Sequence, residues 1–152
     1  MKVVLVHPEI PQNCGNVVRT CSVTGCSLVL VRPLGFAVSD RRLKRAGLDY
    51  WEGVDVEIVE DPDSYFSQIP SEDLFFFSSH AKQNYTDVTY NPKSVLVFGS
   101  ESAGLPEEIH TEYQDRLVRI PMLDGKRCLN LATSVGIAVY EGWRQQDFLL
   151  PK

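Results

Sequence analysis

Val3-Val4-Leu5-Val6, running directly into His7-Pro8-Glu9-Ile10-Pro11-Gln12-Asn13-Cys14-Gly15-Asn16-Val17-Val18-Arg19, decides the class of fold. Four apolar residues in succession leave no polar alternate for a solvent face, the pattern of a parallel strand covered on both sides. The same reading applies to Leu28-Val29-Leu30-Val31, Leu74-Phe75-Phe76-Phe77 and Val95-Leu96-Val97-Phe98. Leu117-Val118-Arg119-Ile120 makes a further strand. Val54 to Val59 alternates apolar with acidic residues, as an edge strand does. Short helices are expected at Gly15–Thr24, Arg41–Ala46 and Ser64–Ile69, and a long one from Leu129 to Gln146. Strands separated by helical stretches give an α/β fold, an open and mostly parallel sheet with helices on both faces.

The chain has 152 residues, of which 43% are hydrophobic and 23% charged, so one domain spanning 1–152 is expected rather than disorder. No stretch approaches the roughly 20 apolar residues of a membrane span, and Met1-Lys2-Val3 does not open a signal peptide. Cys14, Cys21, Cys26 and Cys128 form no CxxC pair, so neither a metal site nor a disulfide framework is expected, and a reducing cytoplasm suits them. The net charge of −5 excludes a general basic coat. It leaves room for a local one: Arg41, Arg42, Lys44 and Arg45 crowd into five residues. That run is either a phosphate-binding edge or a solvated helix face.

The C-terminal helix carries one apolar stripe of Leu131, Val135, Ala138 and Val139, with Ala132 and Trp143 at its edge. Leu129, Ile137 and Tyr140 fall on another side. A helix apolar on two sides needs two covers, its own sheet and a second element, which is a partner subunit or another part of the same chain.

Three loops follow strand ends, where open α/β sheets place ligands. In the first, Asn13 or Asn16 can cap the following helix, and Arg19 falls on its first turns, where a guanidinium can meet a phosphate. The second is Phe98-Gly99-Ser100-Glu101-Ser102-Ala103-Gly104-Leu105-Pro106. Leu105-Pro106 stand where a Walker loop needs Lys and Ser or Thr, and no G-x-G-x-x-G occurs, so neither familiar phosphate cradle is present. Glu101 there can orient a cation or a hydroxyl. The third, Ile120 to Asn130, turns at Asp124-Gly125 and can surround a flat heterocycle with backbone amides and apolar side chains.

Taken together, these loops resemble a known family. Pro8-Glu9-Ile10-Pro11 with Asn13, Gly15-Asn16 and Arg19, then Phe98-Gly99 with Glu101 and Gly104-Leu105-Pro106, then Ile120-Pro121-Met122 with Asn130-Leu131, Tyr140-Glu141 and Trp143-Arg144-Gln145, resemble the SPOUT superfamily of RNA methyltransferases. More narrowly, the chain looks like the small tRNA (cytidine/uridine-34)-2′-O-methyltransferases, from Val3 to Gln146. Gly35-Phe36 and Arg45-Ala46-Gly47-Leu48-Asp49-Tyr50 belong to the same likeness.

The resemblance implies a C-terminal trefoil knot and a homodimer; the two apolar sides of the last helix make Tyr140 and Trp143 the expected anchors. It implies S-adenosylmethionine bound against Phe77, Gly99, Ile120, Met122, Cys128 and Leu129, and tRNA methylated on the ribose of its wobble nucleotide. Arg19 would be the base or hydroxyl activator, with Asn13, Glu101 and Asn130 fixing the loops around it. Because a guanidinium does not give up its proton in proteins, Arg19 is better read as phosphate anchor and hydroxyl orienter. Many related sequences have serine where Cys128 stands, and a thiol donates only weakly. Two other readings compete: a methyltransferase of the same superfamily acting on ribosomal RNA, and a nucleotide- or RNA-binding module without catalysis.

Overall fold

A computed structural model describes residues 1–39, 51 and 53–149. Among the described residues seven strands form one sheet: β1 (Lys2–Val6), β2 (Ser27–Val31), β3 (Val56–Val59), β4 (Leu74–Phe77), β5 (Gln83–Asn84), β6 (Val95–Phe98) and β7 (Leu117–Arg119). Their order across the sheet is β3-β2-β1-β6-β4-β7-β5, and every neighbouring pair is parallel. Val3 pairs with Leu28 on one side and Leu96 on the other, so the strand read first is central. β3 is an edge strand, as its alternation requires.

Successive residues of each strand face opposite sides, and this divides the core in two. Val3, Leu5, Leu28, Leu30, Leu96 and Phe98 pack with Val17, Val18 and Cys21 of α1 (Pro11–Thr24) and with Val135, Ala138 and Val139 of α4 (Leu131–Arg144). Val4, Val6, Val29, Val31, Val95 and Val97 pack on the other side with Phe66 of α2 (Pro62–Phe66) and Ile109 of α3 (Glu107–Glu112). The buried stripe of α4 is Leu131, Val135, Ala138, Val139 and Gly142. Burying one such Val or Leu contributes about 1.5–3 kcal/mol. That term, summed over two faces, makes the sheet a rigid platform.

Several expectations are corrected. α1 starts at Pro11 with Ile10 as N-cap and no side-chain capping bond, so neither Asn13 nor Asn16 caps it. Proline suits the first helical position because its missing N–H would be unsatisfied there anyway. Arg19 is therefore the ninth helical residue, roughly 12 Å along the axis from the helix start, beyond the reach of the end dipole. α4 begins two residues later than expected, because Asn130 accepts from Ala132 N and Thr133 N and caps it. β5 and α3 have no counterpart in the sequence reading, although Pro106-Glu107-Glu108 carries a helix-start signal of proline and first-turn acids. The expected helix at Arg41–Ala46, and Arg41, Arg42, Lys44 and Arg45 with it, lie outside the described residues.

Candidate active site

Parallel strands send all their C-terminal ends to one edge of the sheet, so the loops after β1, β4, β6 and β7 meet there. Between them lies a cavity of about 680 Å³, within the size range of small-molecule sites. Its apolar wall includes Phe77, Phe98, Ile120, Met122 and Leu129, with Gly99 and Cys128 alongside. The Phe77 and Phe98 rings stack with centroids 4.5 Å apart, giving that wall a flat aromatic base.

The loop after β6 folds back on itself. Ser100 N donates to Gly104 O at 3.0 Å, and Gly104 N returns a bond to Ser100 O at 2.9 Å. A Cβ on Gly99 would stand 1.9 Å from the Gly104 carbonyl carbon, so only glycine permits the turn. In the loop after β7, Gly125 takes φ +72 at the expected Asp124-Gly125 turn.

Hydrogen bonds tie the three motif loops together. Glu101 accepts from Glu9 N at 2.7 Å, Ile10 N at 3.0 Å and Asn13 Nδ2 at 3.2 Å. Asn13, buried at 6% exposure, presents its Oδ1 to Asn130 Nδ2 at 2.8 Å. Asn130 Oδ1 meanwhile caps α4 through Ala132 N and Thr133 N. A carboxylate bonded to two main-chain N–H groups is a fixed brace, because moving it would strip charge-assisted bonds from a partly buried site. Glu101 thus faces the start of α1 rather than a cation in the cavity.

The structure brings Asn13, Glu101 and Asn130 to this cavity together with Phe77, Gly99, Ile120, Met122, Cys128 and Leu129. Arg19 is exposed on α1 and is not among the lining residues; Tyr140 and Trp143 sit on α4, their rings 5.8 Å apart. The sequence reading missed the loop after β4, whose Ser78, Ser79 and His80 line the cavity, and missed His110, Lys126 and Arg127. The position of that loop beyond a buried strand was a signal for it. His80 and His110 face each other with ring centroids 6.1 Å apart. Glu9 and Ser102, which the sequence places in the motif loops without a role, join across the cavity's flank: Glu9 accepts from Ser102 Oγ at 2.6 Å and from Ser102 N at 3.2 Å.

Cys14 lies beneath this edge. Burial, followed by the nearby Glu101 charge, pushes its thiol up to about 12, so it remains protonated and inert. Burial raises Cys21 and Cys26 in the same way. Among the described residues no three metal-ligating side chains converge, and no helix is long and apolar enough to cross a membrane.

A parallel sheet with an apolar cavity at its strand ends marks an α/β protein with a small-molecule site at the C-terminal edge of its sheet. The chain belongs to the SpoU rRNA methylase family, which matches residues 1–140. It is 44% identical to a tRNA (cytidine(34)-2′-O)-methyltransferase of Saccharophagus degradans over 148 residues, covering 96% of each chain. It is 40% identical to the enzyme of the same name from Methylovorus glucosotrophus over 147 residues, again covering 96% of each. A solved structure described for 2′-OH methylation of C/U34 on tRNA superposes with a TM-score of 0.90 at 42% identity, covering 97% of both chains. An S-adenosylmethionine-bound rRNA methyltransferase from Sinorhizobium meliloti superposes with a TM-score of 0.83 at 26% identity, covering 99% of this chain and 57% of that one.

Proposed function

We propose that this chain transfers a methyl group from S-adenosylmethionine to the 2′-hydroxyl of the wobble nucleotide, cytidine or uridine 34, of tRNA. The observation that carries the reading is a cavity in which all three motif loops converge, braced by Glu101, Asn13 and Asn130. Its residues fit the cofactor: the Phe77–Phe98 stack, Ile120, Met122 and Leu129 offer an apolar bed for an adenine ring, and the loop main chains after β6 and β7 offer polar partners. The family name points to ribosomal RNA, but the relatives at 40–44% identity that span nearly all of this chain favour tRNA.

Phe77, Gly99, Ile120, Met122, Cys128 and Leu129 would hold S-adenosylmethionine. When bound, the cofactor supplies an electrophilic methyl on a sulfonium sulfur. The chain's own work is positional. Asn13, Glu101 and Asn130 hold the walls so that hydroxyl and methyl can meet in line, and orientation of this kind supplies several kcal/mol of a barrier. Arg19, on the exposed face of α1, would anchor an adjacent phosphate and orient the hydroxyl, whose proton would pass to solvent water as the O–C bond forms and the methyl–sulfur bond breaks. Arg41, Arg42, Lys44 and Arg45 give an acidic protein its phosphate-binding edge.

The working unit is a homodimer. Tyr140 is 47% exposed, on a second side of α4 that the chain's own sheet does not cover. A second copy seated there is the cover, with Tyr140 and Trp143 as aromatic anchors. Four free cysteines fit a reducing cytoplasm.

Purified protein, S-adenosylmethionine and unmodified tRNA, followed by nucleoside mass spectrometry, test the proposal. The expected product is 2′-O-methylcytidine or 2′-O-methyluridine mapped to position 34. Methylation of ribosomal RNA alone, or binding without product, would overturn it.

A further inference from the structure

The two loops that face each other after β1 and β6 exchange their carboxylates. Glu101, on the cofactor side, accepts from the main-chain N–H of Glu9 and of Ile10. Glu9, on the opposite loop, returns its own carboxylate to the N–H and the hydroxyl of Ser102. Each loop thus holds the other through a carboxylate, Glu101 on the main chain of Glu9 and Ile10, and Glu9 on Ser102. The residues are more than 90 positions apart in sequence, and their loops spring from β1 and β6, which are parallel neighbours in the sheet. Gly35 closes the outer side: its N–H donates to Pro8 O at 2.9 Å, and a Cβ there would meet the Glu9 backbone at 2.7 Å.

We propose that Glu9 is a positioning residue for methyl transfer, one half of a reciprocal carboxylate clasp that fixes the distance between the cofactor wall and the start of α1. Glu9 does not line the cavity; its carboxylate is bonded at 2.6 Å to the hydroxyl of Ser102, which does. It acts through Ser102 and the Ser100–Gly104 turn. Without the clasp, that turn retains only the Glu101 half of the connection. Displacements near an ångström at a reacting centre cost up to a hundredfold in rate while leaving ground-state binding nearly intact. The inference rests on the methyltransferase reading above.

Steady-state kinetics on tRNA, with titration of S-adenosylhomocysteine by calorimetry, test it. Glu9→Ala should lower kcat by roughly 10- to 100-fold and leave both the KM for tRNA and the Kd for S-adenosylhomocysteine within about threefold. Glu9→Gln keeps an acceptor for Ser102 and should recover most of the rate with an unchanged pH–rate profile. Ser102→Ala should add little to Glu9→Ala, because both cut the same link. A Glu9→Gln variant as slow as Glu9→Ala would make the carboxylate a base and overturn the proposal. So would a rise in tRNA KM at constant kcat, which would mark a direct RNA contact. Wild-type protein inactive on tRNA in the same assay refutes the function itself; active wild type with unaffected Glu9 variants refutes only the clasp.

Discussion

Asn130 does two jobs whose energies can be separated by the choice of substituent. Its Oδ1 caps α4 through Ala132 N and Thr133 N, and its Nδ2 donates to Asn13 Oδ1 at 2.8 Å. Asn130→Ser keeps an N-cap oxygen but cannot reach Asn13. Asn130→Ala removes both. Loss of an N-cap costs about 1 kcal/mol. Leaving the acceptor of a nearly buried Asn13 unpaired costs about 1–3 kcal/mol. Ser should therefore destabilise by about 1–3 kcal/mol and Ala by about 2–4 kcal/mol, falls in Tm on the order of 2–12 °C and 4–16 °C for a chain of this size. Equilibrium urea unfolding reads both, with a cycle against Asn13→Ala to isolate the side-chain link, expected to couple by about 1 kcal/mol. Identical midpoints for Ser and Ala would mean the cap contributes nothing. Additive Asn13 and Asn130 effects would mean the hydrogen bond joining the motif loops is not made in solution.

Cys128 is the exposed cysteine, so a disulfide reagent should modify one thiol per chain quickly and the three buried ones only on unfolding. The Cys14 thiol is raised from its ordinary 9.0 to about 12 in the folded chain, so its contribution to stability is whole below about pH 9 and lost as pH rises toward 12. A rise of this size is worth about 4 kcal/mol, and urea midpoints measured from pH 8 to 11 should fall less steeply in Cys14→Ala. Tyr140→Asp places a charge on the proposed dimer face and should yield monomers or insoluble protein in sedimentation; a wild-type monomer at micromolar concentration would refute the dimer. Replacing Arg41, Arg42, Lys44 and Arg45 with Gln should raise the KM for tRNA and flatten its salt dependence, leaving cofactor affinity untouched. Arg19→Ala, by contrast, should lower kcat at saturating tRNA.

The sheet was legible because burial on both faces leaves a strong local mark. Val3–Val6, Leu28–Val31, Leu74–Phe77 and Val95–Phe98 could hardly be anything but central strands, and they are. β5 left no such mark. Gln83 and Asn84 pair at the edge through Val118 and Arg119, a tertiary circumstance that no apolar run announces. The start of α1 was misjudged for a related reason: asparagine is a good cap in general, but Pro11 already begins the helix, and Asn13 is drawn inward by Glu101 and Asn130. No periodicity encodes a knot; only the likeness of the motifs implies one.

That displacement of Asn13 explains why the site was legible as residues and not as geometry. A cap faces its own helix and can be inferred from sequence neighbours. Asn13 instead takes one bond from a residue 117 positions away and gives another to one 88 positions away, so its role exists only once β1 and β6 lie side by side and α4 has returned to α1. The same holds for Glu9 and Ser102. Their pairing needs the parallel register of β1 with β6, in which Leu5 stands beside Phe98 and both strands release their loops at the same height. Glycine at position 99 then lets the second loop fold tightly enough for Ser102 to meet the first. The buried strands thus do more than carry the site: their register sets the spacing across which the carboxylates of Glu9 and Glu101 can be exchanged. A substitution that slipped β6 against β1 would be expected to abolish methyl transfer without touching a single residue of the cavity.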